Sequence, residues 1–479
     1  MLDGLDEVDW RRLGHAYGSA GDVPGQLRAL RSPDPEVRGE ALGELYANIL
    51  HQGSRFEATA HAVPFLLDLL ADPATPDRDA LLALLAALAV GYDESWLPEG
   101  FPVAEFRRVA EGGRELLAAK PPPWDGDDES DKEYVEYAYV ESLSAEDQRR
   151  FWAHIELAAY DAVRTGVPLF RALLDDADPG LRAGAAYLLG WFPEDAAGSL
   201  PALLAVAAGE AEAGVAGTAL VSVGLLGAAP DVELLADPRP EVRWAAAVGR
   251  ARVLGAAADE ATVEELLSWT AMADAGREPA DDAGYAPEAP LPAPAELSAP
   301  LPAAGLSAPL PAAGLPVSLP AAGLPVSLPA TTGQAAAVPE AAAVSAALSA
   351  TTGAAVVPFH GGDLPGYAAL ALRQLGPGHA DRAFDALLDR LPAVTGVEAL
   401  PVTTEALALA FPDGQLPDGT PPEALTSRQR RLAEVLARSP ETWQLDGHPF
   451  GNFAMLVGDH GLPRTHNALR TYLNTPTDT

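Results

Sequence analysis

The amino-acid sequence predicts an all-α protein: an α-solenoid of helical hairpins, then a disordered linker rich in alanine and proline, then a small helical C-terminal domain. Apolar residues recur with helical spacing in both outer parts of the chain, whereas the two-residue alternation typical of strands is nearly absent. A short pattern also repeats through the first half, as stacked hairpins require. Between the two helical parts lies a long tract without charge.

Length and charge limit the classes of protein to which this chain can belong. Its 479 residues exceed what one compact core usually holds, which predicts two or three folded units. Acidic residues outnumber basic ones by 68 to 31, and the net charge of −37 disfavours binding to a phosphate backbone. Cysteine is absent, which excludes disulfides, thiolate nucleophiles, cysteine-ligated zinc and iron–sulfur clusters.

Composition divides the chain into three regions. Residues 1–274 alternate apolar helical stretches with short turns and form the predicted solenoid. Residues 275–362 are the linker, in which the hexapeptide LPAAGL recurs with a nine-residue period and too few large side chains exist to offset the entropy of ordering. An alternative, a ligand for proline-reading domains, lacks the usual flanking basic residues. Residues 363–479 form the predicted C-terminal domain, in which Thr426 and Gln429 make a plausible capping box.

Internal repeats are the strongest signal in the sequence. A helix-capping aspartate is followed by a proline, by an arginine one turn later and then by small residues. The aspartate accepts hydrogen bonds from free N–H groups, and proline fits the first helical turn without losing one. The small residues allow a neighbouring helix to approach closely. The copies contain Asp34 and Arg38, Asp178 and Arg182, and Asp237 and Arg243.

This pattern resembles HEAT repeats, especially the short bacterial type also seen in phycocyanobilin-lyase-like proteins. The resemblance covers about residues 24–92 and 163–272, and the whole chain resembles uncharacterised HEAT-repeat proteins of actinobacteria. It implies a solenoid in which aspartates and arginines form a structural ladder between neighbouring repeats. By that resemblance the ladder residues are Asp34, Arg38, Asp178, Arg182, Asp237 and Arg243. No activity follows from it.

Two segments could carry a binding site. The first is a polar patch between two helices, made of His51, Arg55, Glu57 and His61. Glu57 and His61 lie one helical turn apart, so the patch is either a ligand or metal site or a loop held by side-chain hydrogen bonds. The second interpretation is favoured, because zinc usually needs three or four ligands with a closer spacing.

The second segment, residues 124–141, holds eight carboxylates and several aromatic residues. Its acidic spacing partly matches a calcium loop, but Ser130 occupies the position that needs glycine. An exposed insertion is favoured, and a docking surface for a basic partner is the alternative. The candidate partner-binding residues are Trp124, Asp125, Asp127, Asp128, Glu129, Asp131, Tyr134 and Tyr137.

Histidines near the C-terminus and one glycine-rich run could belong either to a functional site or to a packed core. His448, His460 and His466 lie close in sequence, but glycines interrupt the segment and the aromatic residues around it indicate the end of a packed core. The run from Phe359 to Gly362 resembles an oxyanion loop, yet no G-x-S-x-G accompanies it, so no hydrolase is predicted.

These observations favour a non-catalytic protein–protein interaction scaffold. The expected partner is a protein with a basic surface, and one specific form would be an immunity or antitoxin protein. We expect a cytoplasmic protein without cofactor or metal, and no binding to nucleic acid or membrane. The alternative is a lyase or isomerase acting on a small ligand in the solenoid groove, which depends on analogy at the level of the fold. In that case Tyr134, Glu136 and Tyr137 would be the first residues to mutate.

Overall fold

A computed structural model describes residues 2–121, 138–270 and 357–474, except 397, 398, 418 and 446. All of these residues belong to one compact unit. The helices before residue 122 are α1 (Val23–Ala29), α2 (Pro35–Asn48), α3 (Glu57–Ala71), α4 (Arg78–Val90), α5 (Val103–Val109) and α6 (Gly113–Ala119). Those between 138 and 270 are α7 (Ala145–Arg164), α8 (Val167–Leu173), α9 (Pro179–Leu189), α10 (Ala196–Gly209), α11 (Ala213–Leu225), α12 (Pro240–Leu254) and α13 (Glu260–Thr270). Those after 356 are α14 (Leu364–Gln374), α15 (Ala380–Arg390), α16 (Ala399–Ala410), α17 (Ser427–Arg438), α18 (Gly451–Gly458) and α19 (His466–Asn474).

The strands of the described residues form three very short antiparallel hairpins. They are β1 (Gly14–His15) with β2 (Gly18–Ser19), β3 (Leu50–His51) with β4 (Ser54–Arg55), and β5 (Gln444–Leu445) with β6 (His448–Pro449). Each hairpin is a local turn with two pairs of facing residues. The prediction of an all-α fold is therefore confirmed.

Helical hairpins stack so that their second helices form a continuous row. Helix α4 contacts α9, α9 contacts α11, α11 contacts α12, α12 contacts α14, and α14 contacts α16. We call these six helices the central row. Helix α11 is buried over nearly its whole length, because neighbours cover it on several sides. The stack is the predicted solenoid, in which each hairpin buries its apolar face against the next one.

The stack continues across the region that lies outside the described residues. Helix α13 ends at Thr270, and α14, which begins at Leu364, packs against it. The indole Nε1 of Trp244 on α12 donates to the carbonyl of Leu364 at 2.8 Å. Val357 and Phe359, which the composition had assigned to the linker, are buried in this hydrophobic core. Residues 275–356 of the predicted linker lie outside the described residues.

The repeat arginines share one hydrogen-bonding pattern. Arg182 donates to the carbonyls of the residues six and five positions before it, and to the carboxylate of Glu210 in the next hairpin at 2.7 and 3.1 Å. Arg38 makes the same two carbonyl bonds and binds Asp77 at 2.6 Å. Arg243 also makes them, and its Nε lies 3.3 Å from Glu265. Each arginine therefore ties its own turn to the following unit.

The repeat aspartates make different contacts from the repeat arginines. Asp34 and Asp178 cap α2 and α9, accepting backbone N–H groups at 3.0 and 2.8 Å. Asp237 accepts both the backbone N–H and the side chain of Arg239 at 2.9 Å. The carboxylate that pairs with each repeat arginine comes from another position, so the ladder does not consist of the aspartate and the arginine of one motif.

We expect Arg182→Ala to destabilise the fold by about 1–3 kcal/mol, because it leaves two carbonyls and the nearly buried Glu210 carboxylate without their donor. Urea unfolding followed by far-UV circular dichroism measures the change. Arg149→Ala is the matched control, since the exposed Arg149 donates to the carbonyl of Ala145 in its own helix. Its effect should stay within about 0.5 kcal/mol. Equal losses in the two variants would contradict a ladder role.

Candidate functional site

Residues 357–363, which we call the return segment, lead back into the fold and cross the central row. Val357 lies at α11, where its Cγ2 is 3.2 Å from the position that a Cβ on Gly217 would take. Phe359 then packs on Tyr187 of α9, with 4.6 Å between ring centroids. The segment therefore meets α11 first, then α9 and then the turn that follows α4. This order is the reverse of the order of these elements in the chain.

The centre of the return segment has an unusual backbone. His360 adopts φ 55°, in the left-handed region, and Gly361 and Gly362 follow with φ 58° and 83°. A left-handed residue other than glycine costs on the order of 1–2 kcal/mol. His360 is held there by the bond from its N–H to Asp93 Oδ2 at 3.0 Å and by stacking on Tyr367. Strain of this kind tends to concentrate at functional sites.

Asp93 is a buried carboxyl group without a cationic partner among the described residues. It is 6% exposed and lies in the turn after α4, where it interacts with the hydroxyl group of Tyr187 and with the exposed neighbour Glu94. Burial, followed by the charge of Glu94, raises the pKa of Asp93 well above its ordinary value. Asp93 therefore favours its protonated form, and such perturbed acids are typical of functional sites.

Next to this pair, the His360 ring faces Asp363. The Nδ1 of His360 has no hydrogen-bond partner and lies 3.9 Å from Asp363 Oδ2, which also lacks one. The other oxygen of Asp363 caps α14 at 2.8 Å and receives Arg390 at 3.4 Å. Burial lowers the pKa of His360, so its imidazole favours the neutral form.

A second buried acid lies where α14 meets α16. Glu405 is 2% exposed, and its Oε2 is 3.3 Å from Nε of Arg373, which also donates to Glu99 at 2.5 Å. Burial raises the pKa of Glu405 to about 7, although Arg373 acts in the opposite direction. We call the whole set the junction network. Its members are Asp93, Glu94, Glu99, Tyr187, His360, Asp363, Tyr367, Arg373, Arg390 and Glu405.

A second candidate surface follows the edge where the helices of the stack begin. Each of these helix starts has a carboxylate that forms no salt bridge with a lysine or arginine in the described residues. The starts are neighbours, since Arg38 of α2 binds Asp77 before α4, and Arg78 of α4 binds Asp176 before α9. We call this set the acidic edge. It consists of Asp34, Glu36, Asp79, Asp178, Glu212 and Glu241.

The four residues of the predicted polar patch have different contacts and do not form one site. Arg55 is buried and its Nη2 lies 3.0 Å from Glu156 of α7. Glu57 binds Lys120 at 2.8 Å and accepts the N–H of Gly14 at 3.1 Å. These two side chains thus join neighbouring parts of the stack.

The two histidines of the patch lie apart from those contacts. His51 packs against Tyr17, with 5.4 Å between ring centroids, and His61 is exposed on α3. In the part of the chain that the structure describes, no group of three histidine or acidic side chains could hold a metal ion.

The acidic segment falls outside the described residues for all of its candidate positions, namely Trp124, Asp125, Asp127, Asp128, Glu129, Asp131, Tyr134 and Tyr137. The C-terminal histidines take part in local packing: His460 and His466 each contact a backbone carbonyl, at 3.1 and 2.9 Å, and His448 is exposed.

Sequence reasoning missed the junction network. In the sequence, the run from Phe359 to Gly362 resembles an oxyanion loop, but this resemblance does not identify the residues that the run contacts. Its partner Asp93 is 267 positions away in sequence, and nothing local marks that residue as buried. The available signal for this site was the sequence His360-Gly-Gly-Asp363 at the end of an uncharged tract.

No protein-family model, no curated protein and no solved structure matches the chain significantly. Within the described ranges, none of the helices has both the length and the apolar character that crossing a membrane would require.

We expect Glu405→Gln to flatten the pH dependence of stability. The folded pKa of about 7 lies above the ordinary value of 4.5, so the native state retains a proton that the unfolded chain has lost, and stability falls as the pH rises from about 4.5 to 7. The shift corresponds to roughly 3 kcal/mol. Urea midpoints at pH 5, 6, 7 and 8 should therefore fall less in the variant than in the wild type. Glu434→Gln, at an exposed position of α17, should follow the wild-type profile, and an identical profile for Glu405→Gln would contradict the assignment.

Proposed function

We propose that this protein is a non-catalytic scaffold of HEAT-like repeats that binds a protein partner with a basic surface along the acidic edge. One observation carries the proposal: consecutive helix starts present carboxylates that form no salt bridge with a lysine or arginine of the described residues, while the repeat arginines beside them are already paired. The chain has far more carboxylates than basic groups, and its arginines are largely used to join hairpins.

Two physical arguments support a basic partner. A line of like charges attracts a complementary surface, accelerates encounter and disfavours acidic partners. Stacked repeats also provide the extended surface on which solenoids bind other proteins. The acidic segment at 124–141 would add to the same charge. An immunity or antitoxin role is the specific form of this proposal, and a neighbouring toxin gene in the genome would support it.

The test neutralises four of the six carboxylates of the acidic edge without removing helix caps. The variant Asp34→Asn, Glu36→Gln, Asp79→Asn, Asp178→Asn loses four charges, and asparagine caps a helix about as well as aspartate does. A control variant neutralises four exposed carboxylates on the C-terminal helices and turns. Its substitutions are Asp389→Asn, Asp413→Asn, Glu423→Gln and Glu434→Gln.

Tagged full-length protein, the edge variant and the control would each be used to capture partners from a lysate of the source organism, followed by mass spectrometry. We expect the same basic protein with the wild type and the control, and at least a tenfold lower yield with the edge variant. Raising the salt from 50 to 300 mM should weaken capture, because exposed charges are screened. Equal recovery with all three proteins, or recovery of no partner, would refute the proposal.

A second candidate function is lyase or isomerase chemistry on a small ligand. The favouring observation is Asp93, a buried acid that accepts the backbone N–H of His360 at 3.0 Å, since a carboxyl group whose pKa is raised by burial can act as a general acid. Purified protein should then bind a bilin-like chromophore with a change in its absorption spectrum, and Asp93→Asn should keep binding but abolish turnover. Absence of any bound or bindable chromophore would remove this candidate.

A further inference from the structure

The carboxyl pair of Asp93 and Glu94 differs from the other acids of the junction. Glu405 has Arg373 beside it, and Asp363 has Arg390. Within the described ranges no salt bridge joins a lysine or arginine to Asp93 or Glu94. A buried carboxyl group without a counter-charge is costly, which makes this pair a place where an added cation would be stabilised.

The Glu94 side of the pair is open to solvent, whereas Asp93 is only 6% exposed. Glu94 is exposed, and its Oε1 lies 3.8 Å from the position that a Cβ on Gly361 would take. Gly361 is itself exposed, and Gly362 follows it, so that no side chain of these two residues covers the carboxyl groups. A long side chain from another molecule can therefore approach along the glycine backbone.

Two further hydrogen-bonding atoms adjoin the pair. His360 is 7% exposed and its Nδ1 has no hydrogen-bond partner, and the same holds for Asp363 Oδ2 at 3.9 Å. The charges of Glu94 and Asp363 both act on the His360 ring, so both carboxylates lie near it. A neutral imidazole has one accepting nitrogen, and the oxygens of an ionised carboxylate, the form that Asp93 takes when a cation binds, only accept. The site therefore needs a ligand group with several donors.

We propose that this place binds the guanidinium group of an arginine side chain, contributed by the basic partner, so the inference builds on the proposed function. We call it the guanidinium site; its residues are Asp93, Glu94, His360 and Asp363. A guanidinium has five N–H donors in a planar fork, whereas an ammonium is a compact point charge. The several acceptors around the His360 ring favour the planar group.

Binding should release a proton. Burial raises the pKa of Asp93, and an arriving cation favours its ionised form. The affinity should therefore increase with pH, by up to about tenfold per unit, for as long as free Asp93 is protonated. The titratable and charged groups that face the site from the elements packed around it are Glu94, Glu99, Tyr187, Arg252, His360, Asp363, Tyr367 and Arg390.

The test uses the full chain and a defined probe. N-acetyl-arginine amide is titrated into the protein and followed by NMR, with N-acetyl-citrulline amide as a neutral probe of the same shape. We expect a dissociation constant on the order of 1 mM for the arginine probe at pH 8, weaker binding at pH 6, and at least tenfold weaker binding of the citrulline probe. Equal affinity for the two probes would overturn the proposal.

Variants separate this site from general attraction by an acidic surface. Glu94→Gln should weaken arginine binding at least fivefold, whereas Glu434→Gln, which also removes one exposed charge, should not. Asp93→Asn keeps an acceptor for the His360 N–H and should remove the pH dependence of binding. Wild-type affinity in Glu94→Gln, or an unchanged pH dependence in Asp93→Asn, would show that the probe binds elsewhere.

The same titration distinguishes this inference from the proposed function. The acidic-edge variant retains the guanidinium site and should bind the arginine probe normally even when it fails to capture a partner. If Glu94→Gln captures the partner as well as the wild type does, the guanidinium site is not used by that partner, whereas the scaffold proposal stands.

Discussion

Each hairpin of this protein has an apolar face that it cannot cover alone, and the structure depends on the next hairpin covering it. The requirement is local, so the stack can continue after any interruption in the chain. It does so at residues 271–356, since α14 covers α13 although the two helices are far apart in sequence. Helices α14 and α16 thus extend the same row, and one hydrophobic cluster of the described residues includes side chains from Leu5 to Ala383.

The arginine ladder links this stacking to the surface charge. Arg38, Arg182 and Arg243 each satisfy carbonyls of their own turn and a carboxylate of the next unit. The positive charge of these arginines is therefore used inside the stack, whereas the acidic-edge carboxylates at the helix starts form no salt bridge with a lysine or arginine of the described residues. Aspartate at these starts is also favoured by the helix dipole and by capping, so one choice of residue serves both folding and the proposed binding of a basic partner.

The junction combines the buried acids Asp93 and Glu405, a strained His360, and glycines that leave Glu94 exposed. A buried polar group is tolerated when its neighbours satisfy it, and most of this network is satisfied by long-range contacts. Among the described residues, the buried atoms without a hydrogen-bond partner include His360 Nδ1, Asp363 Oδ2 and Glu405 Oε2, and others lie elsewhere in the stack. The side chains of the ladder arginines, in contrast, have partners.

Helical periodicity and capping chemistry were readable from the sequence because they depend on neighbours within one turn. The predicted capping box at Thr426 and Gln429 is present, and the repeat pattern led to the stacked hairpins. The junction was not readable, because His360 and Asp93 meet only after several hairpins have packed. The sequence by itself determined helices, repeats and an excess of acid. Only the tertiary structure decided which carboxylates are buried, which arginines are already paired, and that part of the predicted linker is core, since burial depends on neighbours that are distant in the chain.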